Sequence, residues 1–101
     1  MVKSFQSDAT ITCNQQIQGD YYRMLLQAPD IAAAAKPGQF IHVQIPEMEH
    51  RILRRPFSIS DADPANSTLT IVYKVVGTGT AQLKKMPPGT QVNILGPRGK
   101  G

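Results

Sequence analysis

The sequence predicts a small all-β domain, an antiparallel barrel of six short strands with one short helix. Apolar and polar residues alternate in several short segments, which is typical of half-buried strands. Glycine, proline, asparagine and aspartate cluster between those segments, which is typical of tight turns. The chain has 101 residues, of which 41% are hydrophobic. A single domain with one core is therefore expected.

Six segments have the character of strands. The clearest covers residues 68–76, where Leu69 and Ile71 share one face of an alternating run. Turn-forming residues such as Gly19-Asp20 separate the segments. The other five predicted strands cover residues 5–17, 21–27, 39–45, 57–61 and 90–95.

The predicted helix covers residues 80–86. This segment is rich in helix-forming residues, and two prolines and a glycine follow it. Residues 31–35 also favour a helix but are too few to be stable alone, so they are predicted as one helical turn or a loop. Residues 46–51 are polar and charged, which predicts a loop.

The charge of the chain favours an anionic ligand or an acidic partner. The formal net charge is +4, and the lysine and arginine residues are scattered without a block of like charge. The aromatic residues are not interleaved with a basic stripe, so nucleic-acid binding is not expected.

Cysteine and histidine usage argues against a metal site in this sequence. Cys13 is the single cysteine, which excludes an internal disulfide and an all-cysteine iron–sulfur site within these residues. His42 and His50 have no third ligand at a useful spacing, so no metal site is predicted. No apolar run reaches membrane length and no hydrophobic signal core is present. We therefore expect a cytoplasmic protein without membrane insertion.

A cation, an aromatic ring and a hydroxyl follow one another in the segment Arg54-Arg55-Pro56-Phe57-Ser58. Pro56 has a fixed φ and disfavours helical backbone at the residue before it, so Arg55 is expected to be extended where a strand begins. Together with the apolar, alternating run at residues 72–80, this set offers donors for a pyrophosphate, an apolar wall for a ring and a hydroxyl for a ring heteroatom. Those are the groups that a flavin dinucleotide requires.

Glycine and threonine alternate in residues 77–80, just before the predicted helix. The pattern is neither a nucleotide P-loop nor the GxGxxG fingerprint, because Gln82 stands where a third glycine is needed. The run is consistent with a simple strand-to-helix turn, and Arg55 alone is equally consistent with a solvated strand residue. A cation at Arg55 together with a helix beginning after Gly79 instead predicts a pyrophosphate site.

Four segments, residues 36–40, 54–59, 72–80 and 95–101, resemble in order and spacing those of the ferredoxin-reductase superfamily. More narrowly, they are similar to the FAD-binding domain of dihydroorotate dehydrogenase B electron-transfer subunits. The resemblance covers nearly the whole chain. It implies a six-stranded antiparallel Greek-key barrel with one short helix, binding FAD over residues 1–101.

The resemblance assigns cofactor-binding roles to four residues of the first motif. Arg55 would pair with the pyrophosphate or ribityl side of FAD. Pro56 and Phe57 would shape and cover the isoalloxazine pocket. Ser58 would hydrogen-bond near the reactive nitrogen of the flavin.

The resemblance assigns further cofactor contacts to the second motif. Val72, Tyr73 and Lys74 would line the ring or the ribityl chain, and Gly79 and Thr80 would hold phosphate. The family usually has arginine where this chain has Lys74, so a planar fork is replaced by a point charge. No side chain is implied to act as a catalytic acid or base.

The family implies a role in electron transfer during pyrimidine biosynthesis. Electrons from dihydroorotate would pass through FMN in a catalytic subunit and a 2Fe–2S cluster to FAD, and then to NAD. The nicotinamide-binding and 2Fe–2S parts are absent from residues 1–101, so we expect a fragment that is inactive alone. Two alternatives stay open. One is the flavin domain of a sulfide dehydrogenase, an NADPH–ferredoxin oxidoreductase or a hydrogenase; the other is a small-barrel binding module without flavin.

Overall fold

The computed structural model describes residues 5–36, 38–48 and 51–99. Neither helix in these ranges has the length and apolar composition needed to cross a membrane. The described elements are β1 (Phe5–Gln18), β2 (Tyr21–Gln27), α1 (Pro29–Ala34), β3 (Phe40–Met48), β4 (Arg51–Asp63), β5 (Thr68–Lys74), α2 (Gly77–Leu83) and β6 (Gln91–Arg98).

The strands close into a barrel in the order β1-β2-β5-β4-β3-β6. All neighbouring strands are antiparallel. The consecutive strands β3, β4 and β5 are neighbours, and β6 returns to lie beside β3, which is the Greek-key arrangement. The predicted fold class, an all-β six-stranded antiparallel Greek-key barrel, is confirmed, and the described residues contain two short helices where one was predicted.

The two helices lie at opposite ends of this barrel. Gln27 at the end of β2 pairs with Thr68, whereas Tyr21 at its start pairs with Lys74. The helix α1 follows Gln27 in the chain, and α2 follows Lys74 two residues further on. Each helix therefore belongs to the connection that crosses one end, and we call these the α1 end and the α2 end.

The core fills the inside of the barrel and extends under both helices. Inward-facing strand residues such as Ile11, Ile41 and Ile71 are fully buried, as are Ile31 of α1 and Leu83 of α2. Burying a side chain of this size contributes roughly 1.5–3 kcal/mol relative to exposure. The barrel and the two helices thus share one hydrophobic core.

The structure corrects the predicted loop at residues 46–48 and 51, while residues 49 and 50 of that prediction lie outside the described residues. The strand β3 continues to Met48 and β4 begins at Arg51, and Pro46 pairs with Ile52 across them. Cross-strand pairing keeps these polar residues extended, so composition alone was a poor guide to this region. Pro56 accordingly lies within β4, opposite His42, and does not start the strand.

The helix boundaries also differ from the prediction. The helix α2 begins at Gly77, earlier than the predicted start, and ends at Leu83. Glycine has a low helix propensity, so the two glycines of its first turn had argued against a helical start. The segment at α1, predicted as a helical turn or a loop, is a six-residue helix with Pro29 in its first turn, where proline is well tolerated.

Candidate functional site

A cleft of about 280 Å³ lies at the α2 end of the barrel, between β4, the end of β5 and the first turn of α2. It brings together six of the nine residues that the sequence predicts to bind FAD. The described residues that line it are Arg55, Pro56, Phe57, Lys74, Val76, Gly77, Thr78, Gly79 and Thr80.

The strand β4 supplies one wall of the cleft. The alternation of β4 directs Phe57 and Ile59 into the core, and Phe57 keeps 9% of its surface exposed where it borders the cleft. Its ring meets the ring of Tyr73 edge to face, with the centroids 6.0 Å apart. Arg55 and Pro56 precede it in β4 and are both exposed. This wall therefore combines a fixed aromatic ring with a cation.

The first turn of α2 forms the opposite wall. Gly77 has a φ of 72°, which L side chains rarely adopt, and a Cβ added there would meet no protein atom within 4 Å. The Thr80 hydroxyl accepts a hydrogen bond from the Val76 N–H and donates one to the Val76 carbonyl, each at 2.6 Å. Thr80 therefore fixes the start of the helix, and the buried Gly79 lies inside the helical turn.

The charge around the cleft is positive. Arg55 and Lys74 are the formally charged side chains among its described lining residues, and no carboxylate is among them. The Lys74 Nζ also lies 5.8 Å from the centre of the Tyr21 ring. A concave surface with two cations attracts anions and raises their local concentration.

Three of the predicted residues are not among the described lining of this cleft. Ser58 is exposed and pairs with Phe40, and Val72 is 39% exposed on the outer face of β5. Tyr73 is only 3% exposed and lies behind Phe57. Burial is the main cause that raises the pKa of Tyr73 to about 12. The cofactor contacts assigned to all nine residues, inside and outside the cleft, stay predictions.

Sequence reasoning missed several residues of this region. Val76, Gly77 and Thr78 line the cleft, and the alternating glycine and threonine run was the signal that could have included them. Asn14 of β1 accepts a hydrogen bond from the Tyr73 hydroxyl at 2.7 Å. No local pattern distinguishes Asn14 from the polar residues around it, so the sequence offered no signal for this contact.

Comparison with known proteins gives several close relatives. The chain is 38% identical over 96 residues to the dihydroorotate dehydrogenase B (NAD(+)) electron transfer subunit of Shouchella clausii, covering 95% of this chain and 37% of that protein. It is 40% identical over 94 residues to the protein of the same name from Desulforamulus reducens, covering 93% and 36%. The chain thus spans little more than a third of the length of these relatives.

Solved structures share the barrel. A structure of an NADH-dependent reduced ferredoxin-NADP oxidoreductase superposes with a TM-score of 0.81 at 27% identity, covering 88% of this chain and 32% of that one. A siderophore utilization protein from T. fusca gives a TM-score of 0.80 at 19% identity, covering 96% and 46%. The second likeness supports the fold alone.

The profile of one family matches nearly all of the sequence. The matching family is described as the oxidoreductase FAD-binding domain, and the match covers residues 8–101. The resemblance inferred from the sequence motifs is therefore confirmed, and FAD is the cofactor after which the family is named. This chain belongs to the oxidoreductase FAD-binding domain family.

Proposed function

We propose that this chain is the FAD-binding domain of an electron-transfer subunit that links dihydroorotate oxidation to NAD. Its partner would be an FMN-containing catalytic dihydroorotate dehydrogenase subunit in a hetero-oligomer. The nicotinamide-binding and 2Fe–2S parts would belong to the remainder of a longer protein. Relatives at 38–40% identity carry the name of such a subunit, and a cytoplasmic location stays a prediction.

One observation carries the cofactor part of this proposal. Two separate segments, residues 55–57 of β4 and residues 74–80 from the end of β5 into α2, converge on one cleft with two cations and an aromatic wall. A pyrophosphate needs cations and donors, and an isoalloxazine ring needs a flat apolar surface. The residues present therefore fit the central part of FAD.

The proposed roles follow from the chemistry of the lining side chains. Arg55 would pair with the pyrophosphate or the ribityl side, and Lys74 would line the ring or the ribityl chain. Gly79 and Thr80 would hold phosphate from α2. Phe57 would support the isoalloxazine ring of FAD. The phenyl ring of Phe57 is itself held in one orientation by its edge-to-face contact with Tyr73.

The remaining predicted residues would complete the site, Pro56 within the lining of the cleft and Ser58 and Val72 outside it. Pro56 would shape the ring pocket next to Phe57, and Ser58 would donate a hydrogen bond to a ring heteroatom. Val72 would add apolar surface beside the ribityl chain. FAD, when bound, exchanges electrons in pairs or singly, which allows it to connect a nicotinamide with an iron–sulfur cluster. The protein supplies binding and orientation, and no acid or base is required of it.

The cleft takes only part of such a ligand. Its volume of about 280 Å³ lies just below the range of roughly 300–1,000 Å³ that is usual for pockets enclosing a small molecule. The remainder of FAD would lie on the surface until another domain covers it. We therefore expect the isolated chain to bind FAD weakly.

Titration of the 101-residue chain with FAD tests the cofactor assignment. Flavin fluorescence should change and saturate, and ADP should compete because it carries the same pyrophosphate. Riboflavin, which lacks phosphate, should compete poorly. A signal that never saturates, or equal competition by riboflavin and ADP, would contradict the site and favour a binding module without flavin.

The electron-transfer role needs the longer protein. Assembled with a catalytic dihydroorotate dehydrogenase subunit, it should reduce NAD when dihydroorotate is added. The likeness to a ferredoxin-NADP oxidoreductase supports a second candidate, the flavin domain of an NADPH–ferredoxin oxidoreductase. Reduction of NADP by reduced ferredoxin, without activity on dihydroorotate, would favour that candidate.

A further inference from the structure

The side chain of Asn14 on β1 reaches the end of α2 that lies away from the cleft. Its amide Nδ2 donates hydrogen bonds to the carbonyl oxygens of Leu83 and Met86, each at 3.0 Å. The same Nδ2 lies 3.4 Å from the Lys84 carbonyl oxygen. Carbonyl groups at the end of a helix have no partner inside the helix. Asn14 supplies that partner from β1, which is distant from α2 in sequence.

The other half of the same amide holds a residue behind the cleft. The Asn14 Oδ1 accepts a hydrogen bond from the Tyr73 hydroxyl at 2.7 Å. The Tyr73 ring is stacked on Tyr22 at 5.7 Å and meets Phe57 edge to face at 6.0 Å. Phe57 in turn lines the cleft. The position of the aromatic wall is therefore connected to Asn14 through one intervening side chain.

These contacts connect the C-terminal end of α2, the helix whose first turn forms one wall, with the aromatic residues of the other wall through a single amide. One wall is the first turn of α2, and the other is Phe57 with Tyr73 behind it. Asn14 is not among the described residues that line the cleft, and it is 59 residues from Tyr73 and 69 from Leu83 in sequence. A rigid amide bonded at both ends restricts how far the walls can move apart.

We propose that Asn14 is a positioning residue for the flavin site, setting the separation of α2 from the Phe57–Tyr73 wall. The inference rests on the proposed function, since it supposes that FAD occupies the cleft. It adds a residue that does not touch the ligand and acts through α2 and Tyr73. Loss of the amide should loosen both walls and weaken FAD binding without removing any direct contact.

The variant Asn14→Leu tests this, because leucine has a similar size and no hydrogen-bonding group. We expect FAD affinity to fall about tenfold, as for the loss of one or two net hydrogen bonds. The visible circular dichroism of the bound flavin should also change, because its aromatic surroundings shift. Tyr73→Phe removes only the hydroxyl arm and should give a smaller loss, about two- to fivefold. In the double variant the two losses should not multiply, because both act on one network.

Asn93→Leu provides the matched control. Asn93 is also half-buried on a strand, and its amide bonds to Arg54, Gln6 and Asp8 on the outer face of the barrel. Its removal should lower the melting temperature to a similar degree but leave the FAD affinity of the folded fraction and the flavin dichroism unchanged. Equal affinities in Asn14→Leu and Asn93→Leu would overturn the positioning role.

The possible results distinguish a failure of this inference from a failure of the proposed function. A parent chain without saturable FAD binding overturns both. A parent chain that binds FAD, with variants at Asn14 and Tyr73 that bind as tightly, overturns the inference alone. If Asn14→Leu does not fold, Asn14→Ala takes its place, because it also removes both hydrogen-bonding groups of the amide and leaves Tyr73, for which a direct FAD contact is predicted, unchanged.

Discussion

Two recesses lined by described residues have nearly equal volumes, and their linings differ. The recess at the α2 end measures about 280 Å³ and has Arg55 and Lys74 in its described lining, without a carboxylate. The recess at the α1 end measures about 290 Å³ and has one residue of each sign, Lys36 and Asp61. An anion is attracted to the first recess and gains little at the second. The two recesses therefore differ in the charge of their lining residues and not in volume.

The helices at the two ends also differ, in how much of each helix is buried in the core. The helix α1 presents Ile31 and Ala32 to the core, and both are fully buried. The helix α2 also buries Leu83, but its first turn contains two glycines and lines the open cleft. One end of the barrel therefore contributes mainly to stability, whereas the other exposes backbone and charge to a ligand. Four predictions test this division, from the largest expected effect to the smallest.

Ile31→Ala should have the largest effect, and that effect should be on stability. Removing a fully buried isoleucine leaves a cavity and costs about 2–5 kcal/mol. Denaturant unfolding measures the loss, and the FAD affinity of the folded fraction should stay the same. Ala33→Ser, at an exposed position of the same helix, should change stability little. If FAD affinity falls selectively in Ile31→Ala, the two ends are not independent.

Arg55→Ala should weaken FAD binding and leave the stability of the fold nearly unchanged. We expect FAD binding to weaken by about 1.5–3 kcal/mol, the range for a hydrogen bond to a charged group. Lys36→Ala removes a cation from the other recess and is the matched control, with unchanged FAD affinity. Fluorescence titration of both variants makes the comparison. Similar losses in the two would mean that general positive charge, and not this cleft, attracts the cofactor.

Gly77→Ala and Gly89→Ala compare two glycines of positive φ, at 72° and 94°. Neither added Cβ would meet a protein atom within 4 Å, so each should lose about 1–2 kcal/mol of stability from backbone conformation alone. Gly77 lines the cleft, so only Gly77→Ala should also weaken FAD binding. Unfolding curves and FAD titrations of both variants check this. Equal FAD affinity in the two would exclude Gly77 from the site.

The smallest effect concerns alkaline pH. Burial raises the pKa of Tyr73 to about 12, against about 10 in an unfolded chain. The folded state therefore retains the phenol proton longer. The stability from this group is complete below pH 10 and is lost as the pH rises toward 12. Unfolding without FAD should show this loss in the parent but not in Tyr73→Phe. Tyr21→Phe, at a 47% exposed position, should behave like the parent.

Much of the barrel could be predicted because strand periodicity is a local signal. The alternating run that became β5 is the clearest case, although the strand ends at Lys74 and not at residue 76. The start of α2 could not be predicted in this way, because Gly77 and Gly79 disfavour a helix locally. The hydroxyl of Thr80 and tertiary packing stabilise that helical turn.

The candidate site was predicted where its residues lie close together in sequence. Arg55, Pro56 and Phe57 form one motif, and the structure brings them to the cleft. Tyr73 and Asn14 form a contact that depends on how β5 and β1 are placed around the barrel. The two residues are 59 positions apart, so the local sequence around either one does not indicate their contact. Only the folded structure shows it.

The pairing of β1 with β6 has a consequence for how the chain acquires its structure. These are the first and last strands of the described residues, and Phe5 pairs with Gly96. Contacts between such distant residues close a long loop, and proteins rich in them fold slowly. During synthesis, the barrel cannot close until β6 has left the ribosome and can pair with β1. Until then the unpaired edges of the strands are exposed to other chains, which favours aggregation of the incomplete domain.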